Sequence, residues 1–288
     1  MKISPICFGC EPLGGTDWGE VDIDAIEKAI NIALELGLNF FDTAGVYGLG
    51  LSEERLSKIL GSRRHDIVIA TKGGLSWKNS NLGREIITKD SSPLSIRADV
   101  ESSLKRLRLE VLPIFYVHWP DSNTDIEDTF NELSILKNEG KINSIGCSNF
   151  SAEQIIQACS VTDIDYLQIP MNILDGPIDQ SLSDVCLQNN INIIAYNVLL
   201  HGLLTGKFDI NSNFPRNDRR SRLPLFQGSN FKNAIEKIED LKIKAFKTNN
   251  SLSHYAINWV LTQKNVCSAL VGIKSPKQMI DNWSAISS

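Results

Sequence analysis

Short apolar runs alternate with longer segments of helical period along the whole chain, eight times over. The runs are ICFG at 6–9, NFF at 39–41, IVIAT at 67–71, IFYV at 114–117, INSIGC at 142–147, YLQI at 166–169, INIIAY at 191–196 and SALV at 268–271. Each leads into a stretch with apolar residues at helical spacing, as Ile26, Ile30, Ala33 and Leu34 in DIDAIEKAINIALELG. Continuous apolar runs are what parallel strands look like when both faces are covered. Strict β-then-α order predicts a parallel sheet, and eight units within 288 residues predict its closure into a (β/α)8 TIM barrel of the α/β class. An open doubly wound sheet is the competing architecture, but the G-x-G-x-x-G fingerprint that usually opens one is absent.

Local signals agree with that reading. Asp22, Ser52, Ser151 and Ser275 are expected helix caps, and Gly37, Gly61 and Gly140 expected helix ends. The seventh unit is expected to hold a long loop and then a helix from about Asn233. No linker, repeat or low-complexity stretch interrupts the pattern, so residues 1–288 are expected to form one domain. The irregular stretch is 208–231, FDINSNFPRNDRRSRLPLFQGSNF, which a barrel places in a βα loop. Its arginines, Arg216, Arg219, Arg220 and Arg222, suit either a mobile solvated loop or one that faces a phosphate.

Composition narrows the function classes. Hydrophobic residues make up 42% and charged residues 22%, an ordinary globular balance. A net charge of −5 argues against a nucleic-acid surface. The N-terminal apolar run is too short for a signal peptide and no stretch approaches a membrane span, so a soluble cytoplasmic protein is expected. Six cysteines are scattered; Cys7 and Cys10 form a C-x-x-C pair, but no second pair completes a zinc site, so free thiols and no metal are expected.

Catalytic groups of a barrel sit at the carboxyl ends of its strands. Here those ends carry Asp42, Lys72, His118, Ser148 with Asn149, Gln168, Tyr196 and Gly272. An ionisable residue directly after a buried strand costs several kcal/mol, roughly, unless it is paired. Several such residues at one level imply a shared pocket. They do not name a reaction, since a lysine there also suits a Schiff-base aldolase.

Local motifs go further. GLNFFDTAGVYGLGLSEERLSKILG at 37–61 resembles the signature of the aldo-keto reductase family, and the resemblance continues through ATKGG, YVHWPD, GCSNF, LQIPMN, AYNVLLHGLLTGKF and VGIKSPKQMIDN. It implies a carbonyl reductase using NADPH, with a catalytic tetrad of Asp42, Tyr47, Lys72 and His118. Tyr47 is then the proton donor, Lys72 lowers its pKa, Asp42 holds Lys72, and His118 orients the carbonyl. The same resemblance places Ser148, Asn149 and Gln168 on the nicotinamide carboxamide and Tyr196 against the ring. Asn197, Leu199, Gly202, Leu204, Gly206 and Lys207 fall on the pyrophosphate. Gly272, Lys274, Gln278, Asp281 and Asn282 fall around the adenosine end, with Lys274 toward a 2′-phosphate and Asp281 toward the adenine amino group.

Departures from the family pattern touch specificity. Asn197-Val198 stands where relatives often have Ser-Pro, Lys274 where Arg is common, and Asp281 where Glu is common. Glu11 replaces a frequent aromatic and places an acid near the substrate mouth, where Trp18, Trp77 and Trp119 are also expected. The chain ends soon after its last helix, without the long tail of some members. The expected partner is a small carbonyl compound. A regulatory protein on the same barrel, as the β subunits of voltage-gated potassium channels are, and a Schiff-base aldolase using Lys72 are the alternatives.

Overall fold

The computed structural model describes residues 2–78 and 86–287. Eight parallel strands close into a barrel: β1 (Ile6–Gly9), β2 (Phe40–Asp42), β3 (Val68–Gly73), β6 (Leu112–Val117), β7 (Ile142–Ser148), β8 (Tyr166–Pro170), β9 (Asn192–Tyr196) and β10 (Val266–Gly272). Helices cover the outside: α1 (Ile23–Glu35), α2 (Leu51–Leu60), α3 (Pro93–Leu107), α4 (Ile126–Asn138), α5 (Ala152–Cys159), α6 (Gln180–Gln188), α7 (Gly228–Lys247), α8 (Leu252–Leu261) and α9 (Pro276–Ser284). The register aligns Gly9 with Asp42, Asp42 with Ala70, Lys72 with Tyr116, and Ser148 with Gln168. One end of the barrel therefore presents the polar strand ends together. The last strand pairs with the first, Ile6 opposite Ala269.

Three elements differ from the sequence reading. A short antiparallel hairpin, β4 (Leu75–Lys78) and β5 (Ile86–Lys89), follows β3 and carries Trp77. The seventh unit holds two helices, and the first begins five residues before Asn233. Ser52 caps nothing: α2 starts after Gly50 in a left-handed conformation, and the Ser52 hydroxyl donates to the Cys10 carbonyl instead. Asp22, Ser151 and Ser275 do accept from the amides three residues on, and Ser151 with Gln154 forms a complete capping box.

The barrel interior is filled by Cys7, Phe40, Val68, Ala70, Ile114, Tyr116, Tyr166 and Ile194. Fit is tight enough to dictate composition. A Cβ on Gly146 would lie 2.4 Å from the Tyr116 ring, so only glycine leaves room for that side chain. Cys7 belongs to this interior, while Cys10 donates its thiol to the Phe8 carbonyl. The larger apolar layer lies between strands and helices, joining Phe8, Phe41, Ile69 and Phe115 to Ile26, Leu56, Ile96 and Phe130. Among the described residues no helix is long and apolar enough to cross a membrane, and no group of three or more His, Cys, Asp or Glu could hold a metal ion.

Helix α3 is pinned to the end of β3 by Asp99, whose Oδ2 accepts from the Gly74 amide at 2.8 Å. Burial pushes the Asp99 carboxyl up to about 6, against the opposing pull of that amide and of Arg106. A carboxyl raised in the folded state stabilises the fold when protonated, and that contribution is lost as pH rises from about 4 to about 6. Asn at position 99 keeps an acceptor for Gly74 but cannot ionise. The Tm of Asp99→Asn relative to wild type should therefore climb across that interval and level off above it. A difference that stays flat with pH in thermal melts would show that Asp99 ionises freely.

Candidate active site

Asp42 closes β2 and Lys72 lies one strand away on β3, both almost wholly buried at 1% and 2% exposure. A lone charge at that depth would be prohibitive; the two satisfy each other. Lys72 Nζ lies 2.5 Å from Asp42 Oδ1 and 2.9 Å from the Thr43 carbonyl. The other Asp42 oxygen accepts from the Gln168 amide at 2.8 Å. Burial raises the Asp42 carboxyl, with Lys72 and Gln168 pulling it back.

Tyr47 sits in the loop that follows β2, and its hydroxyl is 3.4 Å from Lys72 Nζ. Its ring meets His118 edge-on, the centroids 5.9 Å apart. His118 follows β6 and is held through its backbone, donating to the Gly73 carbonyl at 2.9 Å. Its Nδ1 is buried without a hydrogen-bond partner. Burial and the Lys72 charge push the imidazole well below its usual range, so it is neutral. Asp42, Tyr47, Lys72 and His118 are thus brought together as the strand ends imply. The expectation that Lys72 lowers the Tyr47 pKa is overturned. Desolvation, Glu11 and Asp42 push that phenol well above 10.

A buried hydrogen-bond network behind these residues, which the sequence alone does not reveal, fixes this geometry. Glu53, fully buried on α2, accepts from Thr71 Oγ1 at 2.6 Å and from Arg106 Nε at 2.5 Å. Arg106 lies along the Tyr47 loop, since a Cβ on Gly50 would come within 2.7 Å of its Cδ. Thr43 donates to Ser52, and Ser52 to the Cys10 carbonyl, tying the same loop to the first strand end. Glu53 lies within the 37–61 segment, but its partner is 53 residues away on another helix.

At the next strand ends, Asn149 adopts φ 66°. Its Nδ2 donates to the His118 carbonyl at 3.1 Å and to Ser148 Oγ at 3.0 Å, while its Oδ1 accepts from the Tyr196 hydroxyl at 2.7 Å. Ser148, Asn149, Gln168 and Tyr196 therefore form one polar wall beside the tetrad. After β9 the chain turns through left-handed conformations at Asn197, Leu200, His201, Gly202 and Gly206. Leu200 and His201 lack the freedom of glycine, so this loop stores strain. It is braced by the Leu199 carbonyl, which accepts from the Gly202 and Leu204 amides, and by Asn197 Oδ1, which accepts from the His201 amide.

Lys207, Arg220 and Lys274 gather beside this loop. Burial lowers the proton affinity of both lysines, and the Arg220 charge lowers it further. Arg220 makes a bidentate pair with Asp218 at 2.9 and 2.6 Å and stacks on Phe208 and Phe214. Lys274 Nζ donates to the Trp18 carbonyl at 2.9 Å, and its backbone amide donates to Gln278 Oε1 at 2.8 Å. Gly272 has open space where a Cβ would stand. Asn282 is buried on α9, whereas Asp281 is turned to α8, its carboxylate 3.3 Å from both Ser253 Oγ and His254 Nε2.

The arginine-bearing insertion is anchored, not a freely solvated loop. Arg219 pairs with Glu11 at 2.8 Å and Arg222 with Asp17 at 2.5 Å. Trp18 and Asp218 form an antiparallel bridge, flanked by Arg219 N–H to the Asp17 carbonyl at 2.8 Å. Trp18 lies between two cations, the Arg219 guanidinium and the Lys274 ammonium, each 5.1 Å from its ring. Trp119 is exposed next to His118, with Lys89 over its ring at 5.3 Å.

Comparison with known proteins identifies the family and the fold. The model of the aldo/keto reductase family matches residues 5–288. The aldo-keto reductase YhdN of Bacillus subtilis is 34% identical over 97% of this chain and 84% of its own length. A protein of Escherichia coli named NADH-specific methylglyoxal reductase is 31% identical over 95% and 86%. An NADP(+)-designated aldo-keto reductase of Schizosaccharomyces pombe is 29% identical over 99% and 84%. The solved structure of a glycerol dehydrogenase from Gluconobacter oxydans superposes with a TM-score of 0.88 at 36% identity, covering 97% of this chain and 86% of that one. Family members are oxidoreductases that act on small carbonyl compounds with nicotinamide cofactors. With that match spanning the barrel and every strand end that builds the site, this chain belongs to the aldo/keto reductase family.

Proposed function

We propose that this chain is a single-domain, NADPH-dependent reductase of aldehydes or ketones, with Asp42, Tyr47, Lys72 and His118 as its tetrad and Tyr47 as general acid. The observation that carries the reading is Lys72 Nζ, held by Asp42 and the Thr43 carbonyl and only 3.4 Å from the Tyr47 hydroxyl. A reduced nicotinamide bound against the strand ends supplies the hydride. The protein's part is the proton. Tyr47 is kept protonated by desolvation and by Glu11 and Asp42, which suits a donor. As the carbonyl oxygen gains negative charge it outcompetes the phenol for that proton, and the phenolate left behind lies beside an ammonium. Neutral His118 offers a ring N–H to the same oxygen. A Schiff-base role for Lys72 has no comparable support, because its N–H groups are committed to Asp42, Thr43 and Tyr47.

Ser148, Asn149 and Gln168 then hold the carboxamide, and Tyr196 the ring. Asn197, Leu199, Gly202, Leu204, Gly206 and Lys207 line the pyrophosphate, and Gly272, Lys274, Gln278, Asp281 and Asn282 the adenosine end. Preference for NADPH is supported by Lys207, Arg220 and Lys274: burial and the Arg220 charge lower the proton affinity of the two lysines, and a phosphate dianion beside them would favour their charged forms. The relatives' names divide on this point, one NADH-specific and one NADP-linked.

Three measurements test the reading. Tyr47→Phe should bind NADPH nearly as wild type does while turnover falls about 100-fold or more. Most of the activity surviving in that variant would remove Tyr47 from its role. Lys72→Met should lose catalysis, whereas Asp42→Ala should lose catalysis and also about 3–5 kcal/mol of stability, since it strands a buried ammonium. Unchanged denaturation midpoints for Asp42→Ala would refute the pairing. In the third, dissociation constants for NADPH and NADH are compared in wild type and Lys274→Ala. The ratio should narrow about tenfold, the weight of one charge-assisted contact. A ratio indifferent to the substitution defeats the NADPH assignment.

A further inference from the structure

Gly45 stands two residues before Tyr47 without a left-handed backbone, so its conformation does not call for glycine. Space does. A Cβ there would lie 3.2 Å from Arg106 Nη2, and one on Gly50 would lie 2.7 Å from Arg106 Cδ and 3.1 Å from its Nε. The Arg106 side chain therefore runs along the Tyr47 loop from one glycine to the other, in a slot that both keep open. That side chain is 20% exposed, so the slot also meets solvent.

The guanidinium is set there by Glu53, which is fully buried and accepts from Arg106 Nε at 2.5 Å. The other Glu53 oxygen accepts at 2.6 Å from Thr71, the residue before Lys72. Successive strand residues face opposite sides, so Thr71 anchors β3 from outside the barrel while Lys72 faces the site. The loop also joins that strand directly, the Gly45 amide donating to the Lys72 carbonyl at 3.3 Å. Docking of α2 on α3 does not depend on the arginine. Ser57 donates to the Leu107 carbonyl at 2.8 Å, and Leu56, Leu60 and Leu107 all belong to the apolar layer. What Arg106 adds is placement.

We propose that Arg106 is the positioning residue for Tyr47: its guanidinium, held by Glu53 between Gly45 and Gly50, fixes the loop at the reach from which the phenol hands over its proton. The inference rests on the reading of Tyr47 as general acid. Reach matters because the Tyr47 hydroxyl stands 3.4 Å from Lys72 Nζ, and about 1 Å of misplacement at a reacting group can cost roughly 100-fold in rate. A planar guanidinium bonds Glu53 and still fills the space along the loop. A lysine brings a point charge without the plane.

The test follows single-turnover oxidation of bound NADPH by 4-nitrobenzaldehyde, with NADPH dissociation constants and melting curves measured on the same proteins. Arg106→Ala should slow the step about 10- to 100-fold while NADPH affinity stays near that of wild type. Free guanidinium at about 50 mM, far below denaturing levels, should restore part of that rate where sodium chloride does not. Arg106→Lys should melt close to wild type and remain slow. Gly45→Ala presses a methyl on Nη2 and should slow wild type, yet add nothing in Arg106→Ala, where the obstruction is gone. A wild-type rate in Arg106→Ala, or additive effects of the two substitutions, overturns the proposal and leaves the tetrad reading standing. Should Arg106→Ala fail to fold, unchanged rates in Arg106→Lys and Gly45→Ala overturn it equally. Wild type that does not reduce the aldehyde overturns both readings.

Discussion

The buried ion pair between Lys72 and Asp42 is the constraint around which the catalytic end is arranged. Each charge is nearly inaccessible to solvent, and each is tolerable only because of the other. The pair needs β2 and β3 adjacent and in one register, which the barrel provides through Phe41 opposite Ile69 and Asp42 opposite Ala70. It also needs its remaining polar capacity filled, which brings in the Thr43 carbonyl and Gln168 from the far side of the barrel, 126 residues away. Geometry here is cooperative. A shift of either strand would disturb Tyr47, His118 and the polar wall together.

Around that pair the electrostatic field is balanced by opposites. Desolvation and two carboxylates hold Tyr47 protonated, while Arg219 acts against them from the insertion after β9. The insertion also carries Arg220, so one segment supplies charge both to the reacting end and to the cluster with Lys207 and Lys274. Trp18 joins the two regions physically, with a cation from each on its ring.

Much of this was legible in the sequence because it follows from periodicity. Eight apolar runs specify the barrel, and the residue after each run specifies what lines its mouth. What could not be read depends on partners far apart in the chain. Glu53 finds Arg106 on a different helix, and the arginines of 208–231 find Glu11 and Asp17 some 200 residues earlier. The direction of the Tyr47 shift was misread for a related reason. The Lys72 charge was counted, but neither the desolvation of the phenol nor the approach of Glu11 is encoded locally. Ser52 shows the limit of cap rules: its position suits a cap, yet a buried carbonyl at Cys10 claims the hydroxyl.

The seam between first and last strands has a consequence for how the chain can be handled. The Ala269 amide donates to the Pro5 carbonyl, and Ser268 Oγ to the Ser4 carbonyl across 264 residues. Until β10 exists, β1 has a bare flank, and so does β9, because the same strand covers both. Ribosomal synthesis delivers that strand after the other seven, so those seven carry two open edges until it emerges. Shortening the protein from its C-terminal side past residue 266 would recreate that condition permanently. The result would not be a smaller barrel but an open sheet with two strands offered to any neighbouring chain.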